Sequence, residues 1–269
     1  MAAIGAPLLA RQNPSDLAGL DLMNSFIPPV FAGGLWSFPL GTDDQGRDIL
    51  SSILWGTRIS LGVGCLATAL STGIGLTAGL AAGYFGRVTD AVLMRFADMQ
   101  LTFPALLVAL LVDGLLRTAL PRGAQDATAF AVLVFSIGIS NWPHFARMAR
   151  AAARIEAEKE YVLAARLVGR SAPAILTAHI LPNLSGTVLV LATTNLAAAM
   201  IAEATLSFLG ISFSPAQPSL GTLVRFGSAF LFSGEWWLTV VPGAALVLLV
   251  WCVNRLGDWM GDALNPRLR

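Results

Sequence analysis

Residues 59–86, ISLGVGCLATALSTGIGLTAGLAAGYFG, contain no Asp, Glu, Lys or Arg. A helix of about 20 mostly apolar residues spans roughly 30 Å of hydrocarbon, and this run of about 28 is long enough to cross with some tilt. Its glycines at 62, 64, 73, 75, 79 and 83 would weaken a helix in water. Between membrane helices the same small residues let two backbones approach closely. Three further charge-free runs occur at 127–146, 171–202 and 236–254, the usable part of the second starting after Pro182-Asn183. A weaker run at 91–116 carries Arg95, Asp98 and Asp113 toward its ends and has a clean centre. Five crossings are therefore expected, near 60–83, 93–115, 127–147, 184–207 and 236–256. Helix is the only suitable state, because lipid leaves exposed backbone groups unsatisfied and the runs are too long for barrel strands.

The whole chain agrees with that reading. Of 269 residues 55% are hydrophobic and 12% charged, with mean hydropathy +0.70, whereas a soluble domain carries about 25% charge. An ordinary soluble enzyme and a disordered chain are both excluded. A net charge of +1 supplies no field for nucleic acid, so none is expected as a partner. Lysine occurs once, at Lys159 after Glu158, so a G-x-x-x-x-G-K-[ST] phosphate loop is absent and nucleotide hydrolysis, where it drives this protein, belongs to another subunit. Cys65 and Cys252 lie inside apolar runs and read as small hydrophobes at lipid depth rather than a disulfide framework.

Basic residues set the orientation. If five helices alternate, Arg87, Arg95, the 147–170 segment with its six basic residues, and Arg255, Arg267 and Arg269 share one side, eleven against six. That side is expected to be cytoplasmic. Residues 1–58 would then lie outside without a signal peptide or a full span; only 2–10 is apolar, so a truncated first helix followed by a periplasmic segment is expected, with the membrane domain proper at 59–269.

The stretch 147–183 is too long for a tight connector. It reads as two amphipathic helical pieces joined by a turn, with Arg147, Arg150 and Arg154 on one face. Ala164 and Ala165 are small enough for a partner to approach. Gly169 can leave the helical region and turn the chain. Ser171 and Pro173 suit the start of a second piece, which Pro182 is expected to end before the next span.

The pattern E-x-x-x-A-A-x-x-x-G followed by I-L-P, carried by Glu160, Ala164, Ala165, Gly169, Ser171, Ile180, Leu181 and Pro182, resembles the cytoplasmic coupling segment of bacterial ABC-importer permeases. Further runs resemble the dipeptide/oligopeptide/nickel permeases, in the C-type partner of a heterodimeric pair: GTDDQGRD at 41–48 with Ser51, Gly56, Arg58, Ser60 and Leu61; EYVLAARLVG at 160–169; HILPN at 179–183; EATLSFLG at 203–210 with Pro215, Pro218, Ser219 and Gly221; and the tail from Trp236-Trp237 to Arg267. The chain departs from that pattern at Ala178, where a basic residue is usual, and at Ser51-Ser52, where Ser-Arg is usual. The resemblance implies an all-α integral membrane protein, a type I ABC importer transmembrane domain with a five-helix core and its first helix truncated. It implies a bacterial inner-membrane, multi-pass location; a second homologous permease subunit, two ATPase subunits that bind the ATP, and a periplasmic substrate-binding protein; and no cofactor, catalytic residue or metal of its own. A short helix near 155–172 would dock in a groove of the ATPase. Which solute is carried stays open. An ion-driven secondary transporter lacks its inverted repeats here, and an intramembrane enzyme lacks a base for Ser71, Ser136 or Ser140.

Gln100, Phe103, Asn195 and Glu203 are candidates for the solute pathway. For Glu203, an intramembrane carboxylate, a hydrogen bond to a neighbouring loop is the equal alternative; for Asn195 interhelical bonding is favoured. His144 and His179 are about 35 residues apart and make a poor metal site; His144 is placed at a kink after Pro143, His179 in the coupling segment. The cluster Asp43, Asp44 and Asp48 lacks EF-hand spacing and reads as an ordered turn, with Thr42 or Asp43 capping the following helix. Trp236 and Trp237 read as an interfacial belt.

Overall fold

The computed structural model describes residues 5–14, 16, 21–119, 122–211 and 218–264. Ten α-helices occur in it: α1 (Ala6–Leu9), α2 (Ile49–Phe85), α3 (Arg87–Thr102), α4 (Ala105–Ala119), α5 (Arg122–Ala157), α6 (Glu160–Leu167), α7 (Ala172–Ile175), α8 (Leu181–Phe208), α9 (Leu220–Ser228) and α10 (Trp237–Leu264). Among the described residues there is no strand, only an isolated bridge between Thr42 and Asp48. Pro215, the 265–269 end of the tail motif and the side chains of Asp113, Arg117 and Arg122 lie outside what is described.

Four helical stretches are long and apolar enough to cross a membrane: Ile49–Phe85, Ala129–Ala157, Ala172–Phe208 and Trp237–Ala263. The weak fifth span is a bent pair, α3 and the first half of α4, angled by 85°. Pro104 explains the break. It disfavours helical dihedrals in the residue before it, and Phe103 is extended at φ −91°, ψ 123°.

Chain contacts divide the protein into two compact units. The first comprises Met1–Cys65, Ala109–Leu133 and Ala197–Cys252. Ile49, Ile53, Leu220, Trp237 and Leu238 form its core. Trp237 is therefore a core residue and not part of an interfacial belt: it is 8% exposed, and its indole N–H donates to the Thr42 carbonyl. Trp236 keeps substantial exposure, with Phe31 beside it at 6.1 Å between ring centroids. The expected cap also moves. Asp48, not Thr42 or Asp43, accepts from the Ser51 N–H and hydroxyl at the start of α2. Thr42 instead donates to the Asn24 carbonyl and accepts from the Ile27 N–H. Asp43 closes its own turn by accepting from the Gln45 and Arg47 N–H groups. Burial pushes its carboxyl up, against the pull of those two N–H donors.

The second unit comprises Leu66–Val108, Val134–Leu196 and Val253–Arg269. Its seam is Gly75, Gly79 and Gly83 of α2 against α5. A Cβ at Gly75 would lie 2.4 Å from the Phe145 Cβ, one at Gly79 2.4 Å from the Ala146 carbonyl oxygen, and one at Gly83 2.6 Å from the Arg150 carbonyl oxygen. Repeated every four residues, the glycines line one face of α2, and Ala146, Ala149 and Ala153 answer them from α5. Gly75, Gly79 and Gly83 thus allow the close backbone approach expected of them, while Gly73 has nothing within 4 Å.

Two expectations for 147–183 are corrected. The first amphipathic piece is not a separate helix: α5 runs on to Ala157, and Arg147, Arg150 and Arg154 sit on its final turns. Arg147 pairs with Asp98 at 2.6 Å and Arg150 with Asp90, both partners on α3. Pro182 does not end a helix either. The chain is helical throughout Ala172–Phe208, because a π turn at Leu176–Ile180 widens the helix just before the proline. Such a turn rearranges the backbone bonds that a proline removes.

Candidate functional site

The site is the hairpin between α5 and α8. Lys159 caps α6 in extended conformation. The helix closes in a Schellman motif: the Gly169 N–H donates to the Arg166 carbonyl at 3.0 Å and the Arg170 N–H to the Ala165 carbonyl at 3.1 Å. Gly169 has φ +80°, the left-handed conformation this motif requires. Ser171 occupies the cap position of α7, through its carbonyl and without a side-chain bond, and Pro173 stands in the first turn.

One face of the hairpin is anchored. Val162, Ile175, Ile180 and Leu184 are buried against Leu80, Ala149, Ala153 and Ala157. A polar knot sits at the base. Tyr161 donates its hydroxyl to Glu156 of α5 and accepts from Asn183 Nδ2 of α8 at 2.8 Å. Asn183 also donates to the His179 carbonyl at 3.1 Å, and Lys159 binds Glu156 at 2.5 Å. Glu156 consequently holds the Lys159 ammonium above its ordinary pKa. Partial burial, then the bond to Glu156, raises the Tyr161 phenol. The Arg166 guanidinium stacks 4.5 Å over the Tyr84 ring.

The other face is open. Glu160, Leu163, Ala164 and Gly169 are exposed, and Leu167 and Val168 are 89% and 81% exposed. Of the residues expected to meet a partner, Glu160, Ala164, Gly169, Ser171 and Pro182 therefore lie at the surface. Ile180 is wholly buried, and Ala165 and Leu181 pack against the core. Leu163, Leu167 and Val168 escaped the motif reading. The available signal was an apolar pair placed directly before a helix-ending glycine in an otherwise charged segment. Tyr161 and Asn183 fall within the motif runs, but nothing in the sequence announced their partnership with Glu156, which depends on bringing three elements together.

The pathway candidates separate. Gln100 is half-buried on α3, and Phe103 is exposed at the break before α4. Asn195 is half-buried on α8, and its Oδ1 is buried without a partner among the described residues. Glu203 is 0% exposed, and Ser60 and Ser207 each donate to it at 2.7 Å. The chain by itself encloses this carboxylate. His144 is exposed on α5 after Pro143, and His179 is half-buried in the π turn.

The chain is 36% identical over 99% of its length to the dipeptide transport system permease protein DppC of Haemophilus influenzae, spanning 86% of that protein. It is 32% identical over 99% of its length to the di/tripeptide permease DppC of Pseudomonas aeruginosa, spanning 84% of it. To the oligopeptide permease OppC of Mycobacterium bovis it is 35% identical over 86% of its length and 76% of that protein. In fold it is similar to a chain of the MetNI methionine ABC transporter in an inward-facing conformation, at TM-score 0.62 and 18% identity, covering 81% of this chain and 98% of that one. A chain of an amino acid ABC transporter with histidines gives TM-score 0.59 at 17% identity, over 80% and 95%. The pattern of the binding-protein-dependent transport system inner membrane component family matches residues 75–269, and the chain belongs to that family, as a multi-pass permease subunit of the ABC-importer type.

Proposed function

We propose that this chain is one of two homologous permease subunits of an ATP-driven importer that takes peptides, or related small solutes, from a periplasmic binding protein. Two separate ATPase subunits bind and hydrolyse the ATP; this chain holds no cofactor. The hairpin is the lever. Its open face, Leu163, Ala164, Leu167 and Val168 with Glu160, fits a groove on the ATPase as short amphipathic helices do. Its anchored face and the Glu156–Tyr161–Asn183 knot pass the movement to α5 and α8, biasing the bundle between two packed states.

The observation that carries the reading is the exposed apolar end of α6 on a buried base: a helix with Val162 fully enclosed and Leu167 almost fully bare is built to be covered by something else. The peptide class rests on the names of the relatives. The test is reconstitution of both permeases, the ATPases and the binding protein in liposomes. ATP-dependent uptake of a labelled dipeptide is expected, and uptake that proceeds without ATPase subunits on an ion gradient would overturn the reading.

A further inference from the structure

Glu203 has no open surface to touch solute or a neighbouring subunit, yet its carboxylate is densely bound. Ser60 of α2 donates to Oε2 and Ser207, one turn along α8, to Oε1, each at 2.7 Å. Ser60 Oγ in turn accepts from the Leu220 N–H at the start of α9, at 3.3 Å. Ser219, the α9 cap, accepts from the Thr222 N–H at 3.3 Å through its Oγ. Hydroxyl protons from α2 and α8 thus converge on one acid, and the start of α9 hangs on the same Ser60 oxygen. Backbones are pressed together around it. A Cβ at Gly221 would lie 2.5 Å from the Ala204 Cα, and one at Gly56 3.2 Å from the Leu220 nitrogen.

From this geometry we propose that Glu203 is a positioning residue that locks α9 to α2 and α8, so that all three move as one block through the transport cycle. The proposal rests on the importer reading for the existence of that cycle. Opening the clasp would strand a carboxylate where no water replaces its donors. α9 therefore does not swing independently, and gating at this end of the subunit takes place at the margin of the block, not within it. Glutamine is a poor substitute, because one of the two accepting oxygens becomes an NH2 group and one of the two serine hydroxyls then meets a donor where it had an acceptor.

Hydrogen exchange on the assembled complex tests this, in nucleotide-free and ATP–vanadate-trapped states. The native protein is expected to protect the amides of α9 equally in both. Glu203→Gln is expected to speed that exchange about ten-fold, the effect of losing one hydrogen bond to a charged group, and to lower solute uptake per ATP. Ser60→Ala should do the same more weakly, and Ser60→Thr, which keeps the hydroxyl, should restore both readouts. A ten-fold change in native α9 exchange between the two states would overturn the proposal. So would normal uptake per ATP and normal exchange in both Glu203→Gln and Ser60→Ala. Absence of ATP-driven uptake by the native complex would count against the functional reading instead, while α9 exchange still reports on the clasp.

Discussion

Tyr161 shows how little of a site is visible one residue at a time. Its hydroxyl joins α5, α6 and α8, yet in sequence it is an aromatic residue beside a glutamate. Tyr161→Phe removes both of its bonds and leaves the ring in place. With each such bond worth about 1 kcal/mol, amide exchange across α6 should rise about thirty-fold, read by mass spectrometry on the purified subunit. Unchanged exchange would show that Val162 and its neighbours hold the helix unaided. Gly169 was legible because a helix that must turn needs a residue tolerant of positive φ. Gly169→Ala should cost about 1 kcal/mol through its backbone alone, since open space surrounds the position; thermal unfolding in detergent measures it. Ala164 and Ala165 were read as a pair, but a helix sends neighbouring side chains 100° apart, and only Ala164 faces outward. An arginine at 165 would attack the core, whereas one at 164 tests docking.

At the scale of elements, charge-free runs located the crossings, because a membrane imposes length and composition so strictly. Interruptions were harder to read. Pro104 breaks a span and Pro182 does not; the difference lies in the π turn before Pro182, which no local pattern announces. The end of α5 was misplaced for a related reason: the helix continues past the apolar stretch, with Asp90 and Asp98 of α3 supplying partners for its arginines. The Arg147–Asp98 pair is exposed, so Asp98→Asn should cost well under about 1 kcal/mol. The glycine seam is the firmer prediction. Gly79→Leu should destabilise the subunit by about 1–3 kcal/mol or more through overpacking against Ala146 and Ala149. Gly73→Ala, with nothing within 4 Å, should leave the unfolding temperature unchanged or raise it slightly. Equal behaviour of the two variants would refute the close α2–α5 contact.

For the whole molecule, function was legible because its motifs are short and contiguous; Glu203 stood out as an intramembrane carboxylate, but its bond to Ser60 did not, because that partner lies 143 residues upstream. In the proposed importer the open face of α6 seats on an ATPase. Ala164→Arg and Leu167→Glu, both on that face, should leave membrane insertion intact and lower uptake at least about ten-fold, since a charge buried unpaired in an interface costs several kcal/mol. The most direct measurement is cross-linking from position 167. With the exposed Cys65 and Cys252 replaced, Leu167→Cys carrying a short photoreactive label should capture an ATPase subunit in native membranes, in a yield that changes on adding ATP. Capture from Phe232, exposed on the connection between α9 and α10, with none from 167, would contradict the account.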